Sequence, residues 1–432
     1  MTKGVLAING GEPIREEVLS FVPVEADVEK EDIEAISEVL SSKRLSQLVS
    51  KKVNDFEESF AEYIETKHAI AVNSGTAALH VALAAASTGP ANDVILPPYT
   101  FVATANAILH QSAVPNFADI DPSTYNLDPR EFEKKITPKT KAVVAVHMLG
   151  QPAEMDSIVR IAEKHNVVVV EDCAQAIGAE YRGNKVGTFG DLGCFSFYLN
   201  KHMTTGGEGG MVVTDNGELA QKVRSIANHC RATTSPYPQV PAHNVYWGIG
   251  YNYRMTAVQA SMGISQLRRL DGFIERRRRN AKYLTKSLEN ISGIRPPFES
   301  PHGKHVYWAY GALVLQREMG VSRDDFARAL LAEGVKAEGY CPIPVHLQDV
   351  FKLKAGYGDT TFPFDNPLYG GKLIYEKGLC PKAEKLSSQD LLLPVYHTLT
   401  EDDLTDVVTG VKKIVENIDE LKDRTEVLHS PP

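Results

Sequence analysis

The most constraining feature of the sequence is an alternation of strand-like and helix-like segments from about residue 65 to residue 215. Such an alternation is typical of βα units, which build a mostly parallel sheet with helices on its faces. Two valine-rich runs, KAVVAVH at 141–147 and NVVVVED at 166–172, predict strands that are buried on both faces. Between them, apolar residues recur at helical spacing over 155–165, which predicts a crossover helix. Together these segments predict a right-handed βαβ unit.

The length of the chain predicts two domains or one large α/β unit with an appendage. Its 432 residues exceed the roughly 100–200 residues of one compact domain. A long helical segment at about 256–280 is followed by Pro296 and Pro297, which interrupt the pattern. We therefore expect a large α/β domain with an N-terminal helical arm at 1–270 and a smaller α+β domain at 271–432.

Composition narrows the classes of function. The chain has 46 Lys and Arg against 55 Asp and Glu, a net charge of -9, which argues against a general nucleic-acid surface. Its 43% hydrophobic and 23% charged residues are typical of a soluble globular protein. Without a nucleic-acid surface, chemistry on small molecules is the favoured class of function. The N-terminal residues contain no apolar run of signal-peptide length, and no later stretch approaches the length of a membrane span, so we expect a cytoplasmic protein without membrane contact.

Two further compositional features favour ordinary structural roles. The five cysteines are an odd number without zinc-type spacing, so neither a disulfide framework nor a metal site is predicted. The four arginines at 276–279 could neutralise an anionic substrate, but they favour a solvated helix end.

Lys201 is the first candidate for chemistry. It lies between a strand-like segment and a glycine-rich run at 206–210. A lysine amine is nucleophilic when neutral, a form that a confined or cation-rich site favours, and it can then form a Schiff base with an aldehyde. Taken alone, a surface lysine beside a glycine turn is the better interpretation.

Two other features change that balance. Asp172 ends a predicted buried strand, and ligands of open α/β sheets gather beyond the carboxyl ends of strands. Its carboxylate could pair with a protonated pyridine nitrogen or cap the next helix. Ser74, Gly75 and Thr76 stand at a strand-to-helix turn, which suits either a phosphate or a plain helix cap. A phosphate cradle at 74–76, an acid at Asp172 and a lysine at Lys201 follow one another along the chain, and this combination indicates a pyridoxal phosphate site.

With these residues, the sequence resembles the pyridoxal-phosphate-dependent sugar aminotransferases of the DegT/DnrJ/StrS type. The resemblance covers nearly the whole chain through a series of ordered motifs. They are FE at 56–57, SGTAAL at 74–79, PPYTFVAT at 97–104, DID at 119–121, YNLD at 125–128, HMLG at 147–150, EDCAQ at 171–175, FSF through Gly210 at 195–210, YNYRM at 251–255 and LPVY at 393–396. The resemblance implies the aspartate-aminotransferase fold (fold type I), in which a mostly parallel seven-stranded sheet lies between helices.

The resemblance also implies roles for residues around the cofactor ring. Lys201 is then the Schiff-base lysine and the acid/base that moves a proton between the substrate carbon and C4' of the cofactor. Asp172 pairs with the pyridine nitrogen, Gln175 hydrogen-bonds the ring hydroxyl, and Phe101 covers the ring face.

For the phosphate, the resemblance implies a site shared between two chains. Ser74, Gly75, Thr76 and Ser196 hold the phosphate from one subunit, and Asn252 completes the site from the neighbouring subunit. A functional homodimer with shared active sites is therefore expected.

The predicted reaction is aminotransfer in two half-reactions. Glutamate or glutamine gives the amino group, the pyridoxamine phosphate form carries it, and a keto-sugar, nucleotide-linked in the expected case, or a keto-cyclitol receives it. A sugar dehydratase of the same family carries histidine at the lysine position, and Lys201 argues against it. A non-catalytic regulatory paralogue predicts damage at Lys201 or Asp172, and both residues are intact. A dinucleotide oxidoreductase is disfavoured because GGEGG at 206–210 lacks the G-x-G-x-x-G spacing.

Overall fold

A seven-stranded sheet forms the centre of the computed structural model, which describes residues 5–422. The strands are β1 (His68–Val72), β2 (Asp93–Leu96), β3 (Val114–Phe117), β4 (Thr140–Val146), β5 (Val168–Asp172), β6 (Glu180–Tyr181), β7 (Asn184–Lys185), β8 (Leu192–Ser196), β9 (Gly210–Thr214), β10 (Ile294–Arg295), β11 (Gly303–Lys304), β12 (Tyr310–Val314) and β13 (Asp390–Leu393). The central sheet has the order β1-β9-β8-β5-β4-β2-β3, and β9 runs antiparallel to both of its neighbours. The predicted fold class is confirmed.

Helices cover both faces of this sheet and extend into the second half of the chain. They are α1 (Lys30–Ser42), α2 (Lys52–Ile64), α3 (Gly75–Ala85), α4 (Val102–His110), α5 (Pro129–Lys135), α6 (Met155–His165), α7 (Gly217–Ile226), α8 (Ala257–Leu288), α9 (Gln316–Met319), α10 (Arg323–Ala332), α11 (Asp349–Lys352), α12 (Pro381–Ser387) and α13 (Glu401–Glu416). Short 3-10 turns lie at Ala7–Asn9, Met148–Gly150, Ala242–Asn244 and Val345–Leu347. No helix within residues 5–422 combines the length and the apolar character that a membrane span needs.

The predicted βαβ unit is confirmed. Strands β4 and β5 pair in parallel, with Val146 opposite Asp172, and α6 occupies the predicted crossover. Val143, Val144 and Val170 are fully buried, as expected for strands covered by helices on both faces. The predicted bounds differ from the observed strands by one or two residues, because helix and strand ends are the least sharply specified positions.

Sheet order places six strand ends at one edge. Strands β1, β2, β3, β4, β5 and β8 run in the same direction, so the residues that follow each of them emerge together. Register aligns Asp172 with Cys194, and Ser196 with Gly210, which in turn faces Val72. The sequence motifs that follow these strands therefore meet at the carboxyl edge of the sheet.

A second sheet, β10-β12-β13, lies in the C-terminal half and packs with α10 and α13. Helix α8 connects the two halves, since it packs against α1 and α2 at one end and α13 at the other. Helix α8 runs through residue 270 without interruption. The division into domains at 1–270 and 271–432 therefore stays a prediction.

The prediction of a solvated helix end for the arginine run at 276–279 was partly wrong, because Arg276 and Arg279 are exposed but the run does not end the helix. Helix α8 continues to Leu288, so the run lies inside the helix and not at its end. Arg277 is fully buried, and its Nη1 donates to the carbonyl oxygens of Tyr307 at 3.2 Å and Trp308 at 3.1 Å. Burial lowers the pKa of Arg277 to about 9. This arginine joins α8 to the segment before β12.

Glu171 organises the backbone next to the carboxyl edge. Its buried carboxylate accepts hydrogen bonds from the N–H groups of Gly187 at 2.8 Å, Phe189 at 2.8 Å and Gly190 at 2.7 Å, and it also contacts Nε2 of His147 at 3.0 Å. Buried N–H groups need partners, because their desolvation is otherwise uncompensated. Glu171 thus fixes the turn that leads into β8.

We predict that Glu171→Ala lowers the free energy of unfolding by about 3 kcal/mol or more, since three buried donors lose their acceptor. Urea denaturation of the apoprotein measures the change. The matched control is Glu180→Ala, which removes a half-exposed ion pair with Lys304 at 3.2 Å and should cost below about 1 kcal/mol. Equal losses in the two variants would contradict the assigned role of Glu171.

Candidate active site

The carboxyl edge of the large sheet brings together most of the predicted site residues. Asp172 ends β5, Ser196 ends β8, and Ser74 caps the helix that follows β1. Lys201 follows β8 by five residues and lies near the Asp172 carboxylate, to which it is electrostatically coupled. Residues far apart in the chain thus share one site because their strands are parallel neighbours.

The start of α3 forms an anion cradle. The Ser74 hydroxyl oxygen accepts from the N–H of Ala77 at 3.1 Å, so the cap leaves the N–H groups of Gly75 and Thr76 for an outside acceptor. A Cβ on Gly75 would stand 2.6 Å from Cβ of Ser196, so Gly75 is required for this close approach. Free N–H groups at a helix start attract phosphate oxygens. The arrangement fits a phosphate group.

Two hydrogen bonds hold the carboxylate of Asp172 in a fixed orientation. Its Oδ2 accepts from Oγ1 of Thr104 at 2.8 Å, and its Oδ1 accepts from the N–H of Ala174 at 3.1 Å. Burial raises the pKa of Asp172, while these two hydrogen bonds and the charge of Lys201 oppose the rise. A buried carboxylate of this kind is stabilised by a cationic ring nitrogen. Sequence reasoning missed Thr104, although it lies within the PPYTFVAT motif.

Lys201 is enclosed by the chain around it. The backbone N–H of Lys201 donates to the carbonyl oxygen of Tyr198 at 2.9 Å, and the side-chain Nζ lies 4.7 Å from the ring centroid of Trp308. Burial lowers the pKa of Lys201 to about 8, with the charge of Asp172 acting in the opposite sense. The amine is therefore neutral in a much larger fraction of molecules near neutral pH than an ordinary lysine.

Trp308 is a second residue that sequence reasoning did not assign to this site. Its indole Nε1 donates to the carbonyl oxygen of Asn200 at 3.0 Å, directly before Lys201. Trp308 is 5% exposed and packs in the core. It nevertheless forms a wall of the site through its ring face.

Gln175 also lines the site, and each end of its amide makes one hydrogen bond within the chain. Its Oε1 accepts from the N–H of Leu149 at 2.8 Å, and its Nε2 donates to the hydroxyl of Tyr340 at 2.7 Å. The second hydrogen on Nε2 remains for a ligand. No sequence motif singled out Tyr340.

Two predicted residues are not enclosed by this chain. Phe101, at the start of α4, is 62% exposed. Asn252 is also exposed, although its neighbour Tyr253 accepts from the N–H of Asn73 at 2.9 Å and thereby holds the segment beside the end of β1. Their roles in cofactor binding stay predictions.

A buried cluster of His147, Glu171 and Cys173 has the atom types of a metal site, but protein groups already use its ligand atoms. Nδ1 of His147 accepts from the N–H of Ala153 at 3.0 Å, so Nε2 carries the proton and donates to Glu171. Burial, the first of several causes, holds the pKa of the Cys173 thiol well above its usual range. The cluster is therefore structural.

The residues at the edge fit pyridoxal phosphate. The start of α3, which Gly75 brings into close contact with Ser196, suits the phosphate, and the Asp172 carboxylate suits a protonated ring nitrogen. Lys201 offers an amine with a pKa near 8 to the aldehyde, and Gln175 offers an N–H.

The family model of the DegT/DnrJ/EryC1/StrS aminotransferase family matches residues 26–412. GDP-perosamine synthase of Caulobacter vibrioides is 35% identical over 372 residues, covering 85% of this chain and 91% of that protein. A putative L-glutamine:3-amino-2,3-dideoxy-scyllo-inosose aminotransferase of Streptoalloteichus tenebrarius is 35% identical over 427 residues, covering 96% and 99%.

Solved structures agree with these relatives. The X-ray structure of the aminotransferase from Psychrobacter cryohalolentis is 32% identical and superposes with a TM-score of 0.82, covering 92% of this chain and 100% of that chain. From sequence, fold and site together, the chain belongs to the DegT/DnrJ/EryC1/StrS aminotransferase family and is a pyridoxal-phosphate-dependent aminotransferase.

Proposed function

We propose that this enzyme transfers an amino group from glutamate or glutamine to a ketone on a sugar, nucleotide-linked in the expected case, or on a cyclitol. The observation that carries the proposal is the enclosed Lys201 amine, with its pKa near 8, close to the fixed carboxylate of Asp172. The names of the relatives supply the acceptor class, since one makes GDP-perosamine and another is named for an amino-scyllo-inosose.

The site residues divide the work of holding the cofactor. Residues 74–76 and Ser196 would bind the phosphate, Asp172 would keep the ring nitrogen protonated, and Gln175 would donate to the ring hydroxyl. Phe101 would cover the ring face. Bound pyridoxal phosphate supplies an aldehyde that carries the amino group and a ring that accepts electrons.

Lys201 would be both the point of attachment and the proton carrier. Its neutral Nζ would be the base that takes a proton from the substrate carbon, and its protonated form would be the acid that gives the proton back. A pKa near 8 suits both tasks, because an amine close to the working pH exchanges its proton readily in either direction. The ring face of Trp308 supports the charged form of the amine at a distance of 4.7 Å.

A homodimer with shared sites completes the proposal. The loop before α8 exposes Tyr246, Trp247 and Ile249, and Ile249 is 86% exposed. Apolar side chains clustered on one loop favour burial against another chain. If a second subunit packs on this surface, Asn252 of one subunit could reach the phosphate in the site of the other.

The five cysteines are free and buried, which is compatible with a reducing cytoplasm.

The proposed reaction predicts a specific spectral result. Enzyme loaded with pyridoxamine phosphate and mixed with keto-sugars or keto-cyclitols should regain the aldehyde absorbance with at least one acceptor, as that acceptor becomes an amine. Lys201→Ala is the control, because it should bind the cofactor noncovalently but fail to convert it. The proposal would be contradicted if the aldehyde absorbance returned with neither acceptor class, or if it returned equally in Lys201→Ala.

Asp172→Asn should lower kcat by roughly 10²-fold or more, since the variant keeps the size and loses the charge that stabilises the ring cation, worth about 3 kcal/mol. Steady-state kinetics with the acceptor found above measures the change. The matched control is Asp191→Asn, because Asp191 binds the N–H of Val169 at 2.8 Å at the opposite end of β5. Unchanged turnover in Asp172→Asn would show that its assignment is wrong.

The shared site predicts complementation between two inactive chains. Lys201→Ala and Asn252→Asp, whose new charge repels the phosphate, should each lack turnover. A mixed dimer would have one site with both defects and one with neither. Activity after subunit exchange should approach about one quarter of wild type for random pairing, because about half of the dimers are mixed and each has one intact site.

If Asn252 serves the site of its own chain, each site of the mixed dimer has one defect. Exchange, verified by mass spectrometry of differently tagged subunits, would then restore no activity. That result would exclude the shared site and leave the aminotransferase assignment intact.

A further inference from the structure

The orientation of the Gln175 amide is determined at both ends. The N–H of Leu149 can only donate, so the group that faces it at 2.8 Å is Oε1. Nε2 therefore faces the hydroxyl of Tyr340, which accepts its hydrogen bond at 2.7 Å. If this acceptor is removed, one of the two contacts that hold the amide is lost.

Tyr340 is itself anchored to the C-terminal sheet. Its backbone N–H donates to Oδ2 of Asp390, the first residue of β13, at 2.6 Å. Its ring packs edge-on against Trp308, with centroids 5.6 Å apart at 83°, and lies 6.0 Å from the ring of Tyr99. The hydroxyl is thus placed by elements outside the large sheet.

The Tyr340 hydroxyl also stays protonated. Burial raises its pKa, and the nearby Cys341 and Asp172 raise it further. The neutral phenol oxygen accepts the hydrogen bond from Gln175.

We propose that Tyr340 is a positioning residue that fixes the Gln175 amide, so that the second N–H of Nε2 stays aimed at the ring oxygen of the cofactor. The inference rests on the proposed function, in which Gln175 donates to that oxygen. Through Tyr340, the C-terminal sheet tunes the electronic state of the cofactor in the large sheet.

The expected consequence is a shift in a visible titration. A hydrogen bond donated to the ring oxygen stabilises its negative charge, so the oxygen holds the neighbouring proton of the lysine linkage less tightly. When the amide is free to turn, the oxygen becomes more basic and that proton is lost at higher pH.

The experiment compares holoenzymes by visible absorbance against pH in the absence of substrate. Tyr340→Phe removes the acceptor oxygen and keeps the ring, and the midpoint should rise by about half a unit to one unit, the scale of one neutral hydrogen bond. Gln175→Leu should raise it at least as much. In the double variant, Tyr340→Phe should add nothing, because the amide that it positions is absent.

Tyr125→Phe is the matched control. It removes another buried phenol, which donates to the carbonyl oxygen of Gly311 at 3.0 Å, from the same aromatic cluster, where its ring lies 5.8 Å from that of Tyr99. It does not contact Gln175, so its midpoint should equal that of wild type. If Tyr340→Phe does not fold, Tyr340→Leu also removes the acceptor and takes its place.

The possible outcomes separate the inference from its premise. A shift in Gln175→Leu without one in Tyr340→Phe would overturn the role of Tyr340 and leave the Gln175 assignment standing. Unshifted midpoints in both variants would overturn both residue assignments. Absence of a visible cofactor band in wild type would instead overturn the proposed function itself.

Discussion

The site depends on parallel strand direction in the large sheet. Because β1, β5 and β8 end at the same edge, the helix cap at Ser74, the carboxylate of Asp172 and the end of β8 at Ser196 are adjacent although the chain separates them widely. Reversing one strand would carry its terminal residue to the opposite edge. The backbone hydrogen bonds of the sheet and of the start of α3 therefore set the backbone positions of these three residues.

The site also depends on the burial of Lys201 and Asp172 and on the hydrogen bonds that stabilise the Asp172 carboxylate. Burial lowers the pKa of Lys201 to about 8 and raises that of Asp172, so each group is displaced toward its neutral form. Hydrogen bonds from Thr104 and Ala174 keep the carboxylate usable as an anion. Glu171, one residue earlier, receives three backbone donors and serves the scaffold instead. Adjacent acids thus have different roles because their partners differ.

Contacts from the C-terminal half complete the site. Trp308 lies over Lys201, Tyr340 binds Gln175, and the buried Arg277 ties α8 to the backbone of Tyr307 and Trp308. These contacts make the second sheet part of the site's construction. Arg277 therefore links α8 to the segment whose Trp308 ring contacts the Lys201 amine.

The sequence by itself determined the βαβ unit and the candidates Lys201, Asp172 and Ser74. Valine content, helical spacing and a capping residue act over a few neighbouring positions, so a linear sequence displays them directly. Tertiary structure alone decided the partners of these residues. Thr104 and Asp172 are 68 residues apart, and Gln175 and Tyr340 are 165 apart. The burial of Arg277 was likewise hidden, because a run of arginines has the composition of a solvated surface. These residues meet their partners because of the order of strands in the sheet and the packing of α8. Neither the strand order nor the packing of α8 is determined by local periodicity in the sequence.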